Sequence, residues 1–377
     1  MLKRQFKKGL RSAKELTDVF CSAANTQICY QCFSAGWRRR CGTTIKNGNE
    51  IITTMKDIFN NRGVALIVVI LMVSVIIALT VEFNRSTRDG LYGTANLSDG
   101  IRLYYVAKSG FNGGQALLTE DQNNFDALTE TWAKLELLSA QSEGFFRQGS
   151  FQVLIEDEAG KIPINKLIAG NAYNAPVKDL LVRLLSLPEF KLEPGRISEI
   201  VDAIKDWLDK DDEVTGLGAE GSYYRSLANP YTAKNGFLDC IDELLMVRGV
   251  TKELYYGTKE TPALKECLTV YGEGAININT APKLVLRALS PDLSVENIAK
   301  MDIYRRTEGN DLADVNWYRR IPGLQGINMS YSLLTVKSSY FTVISTGMLG
   351  KMKQTVTGTI KRGQERGAAE LISWNVE

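Results

Sequence analysis

Apolar residues form one uninterrupted block near the start of the chain and recur at shorter spacings after it. The block covers residues 64–81, VALIVVILMVSVIIALTV, in which only Ser74 and Thr80 are polar and no residue is charged. As a helix this segment would be about 27 Å long, close to the hydrocarbon thickness of a bilayer. A buried helix of a soluble protein is the alternative, but such a helix usually carries polar residues on its solvent side. The pattern therefore predicts a membrane-spanning helix.

The residues around this block predict its orientation and its continuation. Lys56 and Arg62 precede it, and the positive-inside rule places that side in the cytoplasm. Residues 82–377 would then lie on the opposite side of the membrane. The chain contains no Pro between 82 and 115, so we expect an amphipathic helix to continue to residue 116.

Beyond residue 116 the period of the apolar residues changes several times. The predicted elements are helices over 117–148 and 177–208, the second interrupted at 194–195, and strands over 151–155, 161–165 and 275–279, with two strands within 338–362 and one within 368–377. Thr280 and Pro282 predict the cap and first turn of one more helix, PKLVLRALS. The strands near the C-terminus, around a Gly-Lys turn, indicate an antiparallel sheet.

Charge and composition exclude several classes of function. Of the 45 basic and 43 acidic residues, twelve and four lie in residues 1–63, which leaves 33 basic and 39 acidic residues, a net charge of −6, for the remainder. An acidic body gains nothing from phosphate neutralisation, so we expect no nucleic-acid binding. The chain contains no histidine, which excludes Ser-His and Cys-His nucleophile pairs. It also lacks a P-loop and a dinucleotide fingerprint, and we predict that it is not an enzyme.

The residues before the apolar block resemble a processing signal. The sequence NNRG, which ends at Gly63, is similar to the type IV pilin and pseudopilin signal, in which a peptidase cuts after Gly and the apolar segment is retained. The resemblance implies a leader over 55–63, cleavage between Gly63 and Val64, and N-methylation of Val64. Most such proteins carry Glu at the fifth mature position, where this chain has Val68. That carboxylate neutralises the ammonium of a neighbouring subunit in the filament, and a subunit at the tip has no neighbour above it.

A leader of 63 residues would be unusually long for this class of signal. Translation from Met55 would give MKDIFNNRG, a nine-residue leader, and we expect residues 1–54 to be an untranslated upstream extension. Four of the six cysteines lie in that extension. Cys29 and Cys32 form a CxxC pair, so a zinc ribbon is the alternative, although no second pair has matching spacing.

Two motifs in the body point to one family. Residues 206–251, DWLDKDDEVTGLGAEGSYYRSLANPYTAKNGFLDCIDELLMVRGVT, and residues 274–282, GAININTAP, resemble the minor pseudopilin K family of the type II (general) secretion system. The resemblance covers residues 60–350. Its three signals occur in family order: the leader without Glu at the fifth position, the acidic loop followed by YYRSL, and ININTAP.

The resemblance implies a fold and a set of partners. The implied fold class is α+β, with a long N-terminal transmembrane helix, a pilin-like antiparallel sheet core over 117–175 and 335–377, and an inserted helical subdomain over 176–334. The implied function is a minor pseudopilin that initiates and caps the type II secretion pseudopilus, which drives export of folded proteins across the outer membrane. The implied partners are minor pseudopilins I and J, the major pseudopilin, the prepilin peptidase and the inner-membrane assembly platform. The protein would cross the inner membrane once, with its C-terminal domain in the periplasm.

Two alternatives to this function remain open. A minor pilin of a type IV pilus would share the leader and the anchor, but the acidic loop with YYRSL favours the secretion pseudopilin. A membrane-anchored periplasmic enzyme would keep its anchor uncut. Asp202 and Asp206, one helical turn apart, could then act as an acid-base pair, although we interpret them as a solvent-facing helix face.

The acidic loop predicts a calcium site. The candidate ligands are Asp209, Asp211, Asp212, Glu213 and Glu220. Four of them occupy positions 1, 3, 5 and 12 of a twelve-residue calcium loop, but position 6 is Val214 rather than Gly, so the loop is not an EF-hand. Carboxylates this close repel one another unless a cation lies among them, and calcium prefers oxygen ligands. A solvated acidic turn is the alternative; the family resemblance favours calcium, because some members bind it in the helical subdomain.

Two further features of the body have competing interpretations. Residues 244–255 and 318–327 resemble the Gly-containing turns of helix-hairpin-helix modules, which can bind DNA. In an acidic exported body we expect these turns to join packed helices instead. Cys240 and Cys267 could form a disulfide in an oxidising compartment, but the sequence does not fix the distance between them.

Overall fold

The computed structural model describes residues 63–121, 123–363 and 368–377, without the side chains of 136–138. The predictions for the extension over 1–54, for the leader up to residue 62 and for the Cys29-Cys32 pair lie outside the described residues. The chain divides into two compact units, one that ends at Ser86 and one that spans Thr87–Glu377.

Short helices and strands follow one very long helix. The helices are α1 Val64–Glu120, α2 Glu136–Gln141, α3 Ala175–Leu185, α4 Pro194–Leu208, α5 Gly221–Arg225, α6 Lys252–Tyr256, α7 Lys283–Ala288 and α8 Val295–Arg306. The strands are β1 Ser150–Asp157, β2 Ile162–Pro163, β3 Ile168–Ala169, β4 Ala172–Tyr173, β5 Leu268–Thr269, β6 Ile276–Asn277, β7 Leu334–Thr335, β8 Tyr340–Leu349, β9 Met352–Arg362 and β10 Ala369–Val376. This mixture confirms the predicted α+β class.

The apolar block forms the first part of α1. Among the described residues, α1 is the one helix long and apolar enough to cross a membrane, with an 18-residue window of mean hydropathy 3.3 of which none is buried. The side chains of residues 64–81 are all exposed. An exposed apolar surface of this length is suited to lipid rather than to water. The helix therefore contains a candidate transmembrane segment, and it ends at Glu120 rather than at the predicted residue 116.

The long strands form one antiparallel sheet in the order β1-β8-β9-β10. β8 pairs with β1 on one side and with β9 on the other. Burial alternates along β1 and β8, which indicates that one face of the sheet is covered. Gly350, with a φ of 59°, lies in the turn between β8 and β9. The predicted strand over 151–155 and the predicted strands near the C-terminus are thus present in the structure.

The C-terminal half of α1 covers that face of the sheet. Its buried residues are Leu103, Val106, Ala107, Gly110, Phe111, Gly114 and Leu118. They pack with the inward-facing strand residues Phe151, Val153, Ile155, Phe341, Val343, Val356 and Ile360. A Cβ atom on Gly110 would overlap Ser345 Oγ and lie 2.8 Å from Phe151 Cγ. The helix can approach the sheet this closely only because Gly110 has no side chain.

The residues between β1 and β8 form a second apolar core. α4 buries residues at helical spacing, namely Ile197, Ile200, Val201, Ile204 and Leu208. Pro194 lies in the first turn of α4, where its missing N–H is not needed. Two-residue parallel ladders, β2 with β5 and β6 with β7, join distant parts of this helical subdomain.

The predicted helix over 117–148 is wrong for most of its length. After α1 ends, residues 123–130 form turns and loops, and the next regular elements are a 3-10 turn at Thr131–Ala133 and the six-residue α2. Trp132 and Leu135 are buried in the core beneath the sheet. Their apolar pattern therefore reflects burial from a loop and not a shared helix face. Asp126 N–H donates to Val336 O at 2.7 Å, which replaces a helical hydrogen bond.

The predicted second strand over 161–165 lies outside the large sheet, although the predicted sheet core over 117–175 included it. Only β2 is extended, and it pairs in parallel with β5 rather than with the large sheet. Ile162 and Ile164 are fully buried in the helical core. The predicted boundary between sheet core and subdomain at 175/176 therefore lies too close to the C-terminus. The sequence could not show this, because a short apolar run does not specify which core it joins.

The segment ININTAP joins the two cores. Asn277 Nδ2 donates to Asp157 Oδ2 at 2.9 Å and to Asp126 O at 3.0 Å. Thr280 Oγ1 donates to the same Asp157 oxygen at 2.6 Å, and α7 begins only at Lys283, so the prediction of Thr280 as helix cap is wrong. Burial raises the pKa of Asp157, although these hydrogen bonds oppose the shift. The end of β1 is thus fixed to the helical subdomain by a buried, hydrogen-bonded carboxyl group.

Candidate functional site

The acidic loop connects two helices whose ends are held by the apolar core. Asp209 is the cap residue after α4, and Glu220 directly precedes α5. The rings of Trp207 and Tyr224 contact edge to face with 5.1 Å between their centroids. Both rings are buried, whereas residues 210–217 are mostly exposed. The first and last residues of the loop are therefore brought together by packing and not by the loop itself.

Three of the five candidate ligands form a cluster. Asp209, Asp211 and Glu220 each place a carboxylate oxygen within 4.8 Å of those of the other two. Asp209 is 0% and Glu220 2% exposed. Among the described residues, Asp209 Oδ1 and both carboxylate oxygens of Glu220 find no hydrogen-bond partner. Buried acceptors without donors are destabilising, and a hard cation among these oxygens would satisfy them.

The negative charge of the cluster is only partly compensated. Lys205 Nζ forms an ion pair with Asp209 Oδ2 and donates to Thr215 Oγ1 at 2.8 Å. Burial, followed by repulsion from Asp206 and Asp209, raises the pKa of Glu220 to about 7. A divalent cation would favour the ionised form of this carboxyl group. The site therefore has the charge and the open oxygens of a cation-binding site.

Asp202 and Asp206 support the loop from α4. Asp206 is completely buried, and its carboxylate accepts the N–H of Thr215 at 3.1 Å. Asp202 Oδ2 accepts the N–H of Leu217 at 2.9 Å. A Cβ atom on Gly218 would overlap Asp206 Oδ2, so the loop lies directly against the helix. The interpretation of these carboxylates as a solvent-facing helix face is wrong, because the loop folds back over them.

The other two candidate ligands, Asp212 and Glu213, are exposed and lie outside the three-residue cluster. Asp212 Oδ1 accepts a hydrogen bond from Asn235 Nδ2 at 3.2 Å, and the same nitrogen donates to Asp211 O at 2.9 Å. The N–H of Glu213 donates to Asp211 Oδ1 at 2.9 Å. Asn235 was not among the residues predicted from the sequence. Its signal was the Asn-Gly dipeptide at 235–236, since Asn235 has a φ of 47° and Asn tolerates that conformation.

A second acidic group already holds a counter-ion. Asp121, Asp126 and Glu130 also place carboxylate oxygens within 4.8 Å of one another. Arg362 donates to Asp126 Oδ2 at 2.6 Å and to Asp121 Oδ2 at 3.1 Å. Burial raises the pKa of Asp126 to about 6, while Arg362 lowers it. This group is an ion-pair network between the loop after α1 and β9.

The predicted cleavage site, between Gly63 and Val64, lies at the first described residues of the chain. Gly63 is an exposed turn residue, and Val64 is the first residue of α1. The N–H of Ile67 donates to Gly63 O at 3.2 Å, which is the first helical hydrogen bond. Val68, the fifth residue after the predicted cleavage position, is exposed on the apolar surface of the helix.

The remaining sequence candidates lie in the helical subdomain. The segments 244–255 and 318–327 bury apolar side chains, namely Leu244, Val247, Val250, Leu254, Tyr255, Tyr318, Ile321, Leu324 and Ile327. Their turn glycines, Gly249 and Gly323, both have a φ of 92°. Cys240 is exposed and Cys267 is buried, and neither forms a disulfide within the described part of the chain. Burial raises the pKa of Cys267 to about 12.

Fold and site together define a class of protein. Its long helix has a candidate membrane span in the N-terminal part and packs on an antiparallel sheet with the C-terminal half. A helical subdomain is inserted between two neighbouring strands of that sheet. A family model described as "Type II secretion system (T2SS), protein K" matches residues 160–261, which include the acidic loop. The type II secretion system protein K of Aeromonas hydrophila is 26% identical over 336 residues, which cover 83% of this chain and 96% of that protein. The protein of the same name from Pseudomonas aeruginosa is 27% identical, with 81% of this chain and 90% of that protein covered.

A solved structure shows the same fold. A chain in the crystal structure of the GspK-GspI-GspJ complex from the type 2 secretion system of enterotoxigenic Escherichia coli matches with a TM-score of 0.60 and 20% identity. The match covers 75% of this chain and 99% of that chain. The predicted resemblance to protein K of the type II secretion system is confirmed by the family model and the relatives together.

Proposed function

We propose that this protein is a non-enzymatic minor pseudopilin that lies at the tip of the type II secretion pseudopilus. There it initiates and caps the filament that drives export of folded proteins across the outer membrane. It would assemble with minor pseudopilins I and J above the major pseudopilin and the inner-membrane assembly platform. Sequence similarity to type II secretion system protein K supports this role, as does the similar fold of a chain from a GspK-GspI-GspJ complex.

The observation that carries the tip position is the absence of a carboxylate from the apolar segment. Residues 64–81 expose only apolar side chains apart from Ser74 and Thr80, and Val68 stands where filament subunits carry Glu. In a bundle of such helices an unpaired buried charge is costly, so a carboxylate is useful only beside the ammonium of another subunit. A subunit with no neighbour above it has no ammonium to neutralise. The segment is suited to the end of a filament.

The acidic cluster fits a calcium ion. Asp209, Asp211 and Glu220 would hold it, since three of their buried oxygens lack donors in the described chain. Hard oxygen ligands of this kind suit calcium, which is plentiful outside the cytoplasm. A bound ion would supply positive charge between the two ends of the loop. Asp202 and Asp206 hold the loop backbone for this purpose, and Lys205 orients Asp209.

The decisive experiment is to determine the N-terminus of the membrane-bound protein by mass spectrometry, in cells with and without the prepilin peptidase. We expect a start at N-methylated Val64 only when the peptidase is present. Gly63→Leu should block cleavage and abolish secretion. Gly93→Leu is the matched control, because no atom lies within 4 Å of a Cβ there; it should be cleaved and support secretion. An uncut wild-type N-terminus would overturn the filament role and favour an anchored periplasmic protein.

The tip position is tested separately by immunogold labelling of pseudopili with an antibody against residues 87–377. We expect one labelled end per filament. Label along the whole filament would contradict the tip role while leaving the pseudopilin class intact. Loss of label from secretion pseudopili together with label on type IV pili would favour the minor pilin.

A further inference from the structure

A side chain from a separate segment faces the acidic loop. Asn235 lies in the connection between α5 and α6 and donates through Nδ2 to Asp211 O at 2.9 Å and to Asp212 Oδ1 at 3.2 Å. The next residue binds α4, since the N–H of Gly236 donates to Trp207 O at 3.3 Å. The amide group of Asn235 is thus held beside the loop by its own hydrogen bonds and by the anchored backbone of Gly236.

The oxygen of this amide has no hydrogen-bond partner in the described part of the chain. Within the described side chains, eight buried polar atoms lack a hydrogen bond, and four of them belong to Asp209, Glu220 and Asn235. Asn235 Oδ1 is one of the four. An amide whose nitrogen makes two hydrogen bonds while its buried oxygen makes none is an incomplete arrangement. The clustering of unpartnered oxygens around one loop indicates that they share a missing ligand.

We propose that Asn235 supplies a neutral oxygen ligand, Oδ1, to the calcium ion held by Asp209, Asp211 and Glu220. This inference rests on the calcium site of the proposed function. Calcium binds amide carbonyl oxygens as well as carboxylates and usually takes six or more ligands, so three carboxylates leave positions open. By binding the ion, Asn235 would fix the α5–α6 connection onto the acidic loop.

The neighbouring charges agree with a neutral ligand at this position. Lys234 is turned to the other side, where its Nζ bonds to Asp239 Oδ2 at 2.6 Å and to Glu243 Oε2 at 2.8 Å. The lysine therefore does not compete for the acidic cluster. Asn235 instead presents an uncharged oxygen to the acidic cluster, which adds a ligand without adding repulsion between carboxylates.

The test compares substitutions that separate the oxygen from the nitrogen of the amide. Full-length protein in detergent micelles is titrated with calcium chloride after treatment with EGTA, and the apparent affinity is taken from the rise in melting temperature. Asn235→Gly preserves the left-handed backbone and removes the side chain, and it should weaken the apparent affinity about tenfold. Asn235→Asp keeps an oxygen and loses the donor, and it should bind calcium at least as tightly as the wild type. Lys191→Gly, at another left-handed residue (φ 53°), is the matched control and should leave the affinity unchanged.

A spectroscopic measurement distinguishes ligation from support of the loop. Terbium(III) replaces calcium, and its luminescence lifetimes in H₂O and D₂O count the water molecules on the ion. Loss of one protein ligand should add roughly one water in Asn235→Gly, since water completes the coordination shell of a hard cation. An unchanged water count in that variant would overturn the assignment.

The outcomes separate this inference from the function on which it rests. A wild-type protein that shows no calcium-dependent shift would overturn the calcium site and Asn235 with it. A normal wild-type shift that Asn235→Gly retains in full would overturn Asn235 alone. If Asn235→Asp is as weak as Asn235→Gly, the side chain acts through its nitrogen, and the ligand assignment fails.

Discussion

The buried carboxyl group of Glu220 should make the calcium-free protein sensitive to pH. Its pKa is raised from 4.5 to about 7 because the side chain is buried beside Asp206 and Asp209. The folded protein therefore holds this proton more tightly than the unfolded chain does. Stability falls as pH rises from about 4.5 to 7 and stays low above that range. No histidine titrates in this interval, because the chain has none.

The size of the effect follows from the same shift. A pKa raised from 4.5 to about 7 corresponds to roughly 3 kcal/mol of destabilisation when the group is ionised. The loop is open to water on its outer side, which reduces the effect to about 2 kcal/mol. In a body of this size that is a fall in melting temperature on the order of 5 °C. Bound calcium should remove the contribution of Glu220 to this pH dependence, since it stabilises the ionised form.

The assay is thermal unfolding of the full-length protein in micelles between pH 5 and 8, with EGTA or with calcium. In EGTA, Glu220→Gln should exceed the stability of the wild type by about 0.5 kcal/mol at pH 5 and by about 2 kcal/mol at pH 8. The variant should also lose the calcium response. Glu213→Gln is the control from the same loop, where the carboxylate is exposed, and it should keep the wild-type pH slope. Parallel pH curves for the wild type and Glu220→Gln in EGTA would refute the reasoning.

Two further substitutions test the packing of the body, both by denaturant unfolding in micelles. Gly110→Val should lower the stability by about 2 kcal/mol because it overpacks the contact between α1 and the sheet. Gly100→Ala is the control: no atom lies within 4 Å of the new Cβ, and the change should raise the stability by up to about 1 kcal/mol. Equal effects of the two substitutions would contradict the close contact. Asn277→Leu should cost about 3 kcal/mol because it removes the Nδ2 donor shared by the buried Asp157 carboxylate and Asp126 O. The exposed Asn328→Leu should change stability little, and a similar loss in both variants would argue against the junction.

The parts of the fold with a strong local pattern were predictable from the sequence. The eighteen apolar residues of 64–81 and the alternating C-terminal strands show their type within a few residues. The region 117–148 was not predictable, because its apolar residues serve the sheet from loops and short turns. Residues 161–165 have a strand-like pattern, but the identity of their partner depends on a strand about 100 residues further along.

The candidate site, like the fold, was only partly predictable from the sequence. The spacing of acidic residues located the loop, and Asp209, Asp211 and Glu220 do come together. What spacing could not show is that the two ends are buried by the packing of aromatic rings while Glu213 between them stays exposed. Asn235 lies outside the loop in sequence, so only the folded chain brings it near. Local pattern identifies candidate ligands, and tertiary packing selects among them.

The insertion of the helical subdomain between β1 and β8 has a consequence for the order of folding. Asp157 at the end of β1 pairs with Phe341 in β8, roughly 180 residues later. Closing so long a loop is entropically unfavourable before other contacts exist, and distant pairings generally form slowly. The helical subdomain has its own apolar core, and folding of that core brings the ends of the two strands together. We expect it to gain amide-exchange protection before the sheet does, in pulse-labelling experiments during refolding. While the chain is still emerging from its site of synthesis, β1 has no partner, and the helical subdomain is the part that can already protect itself.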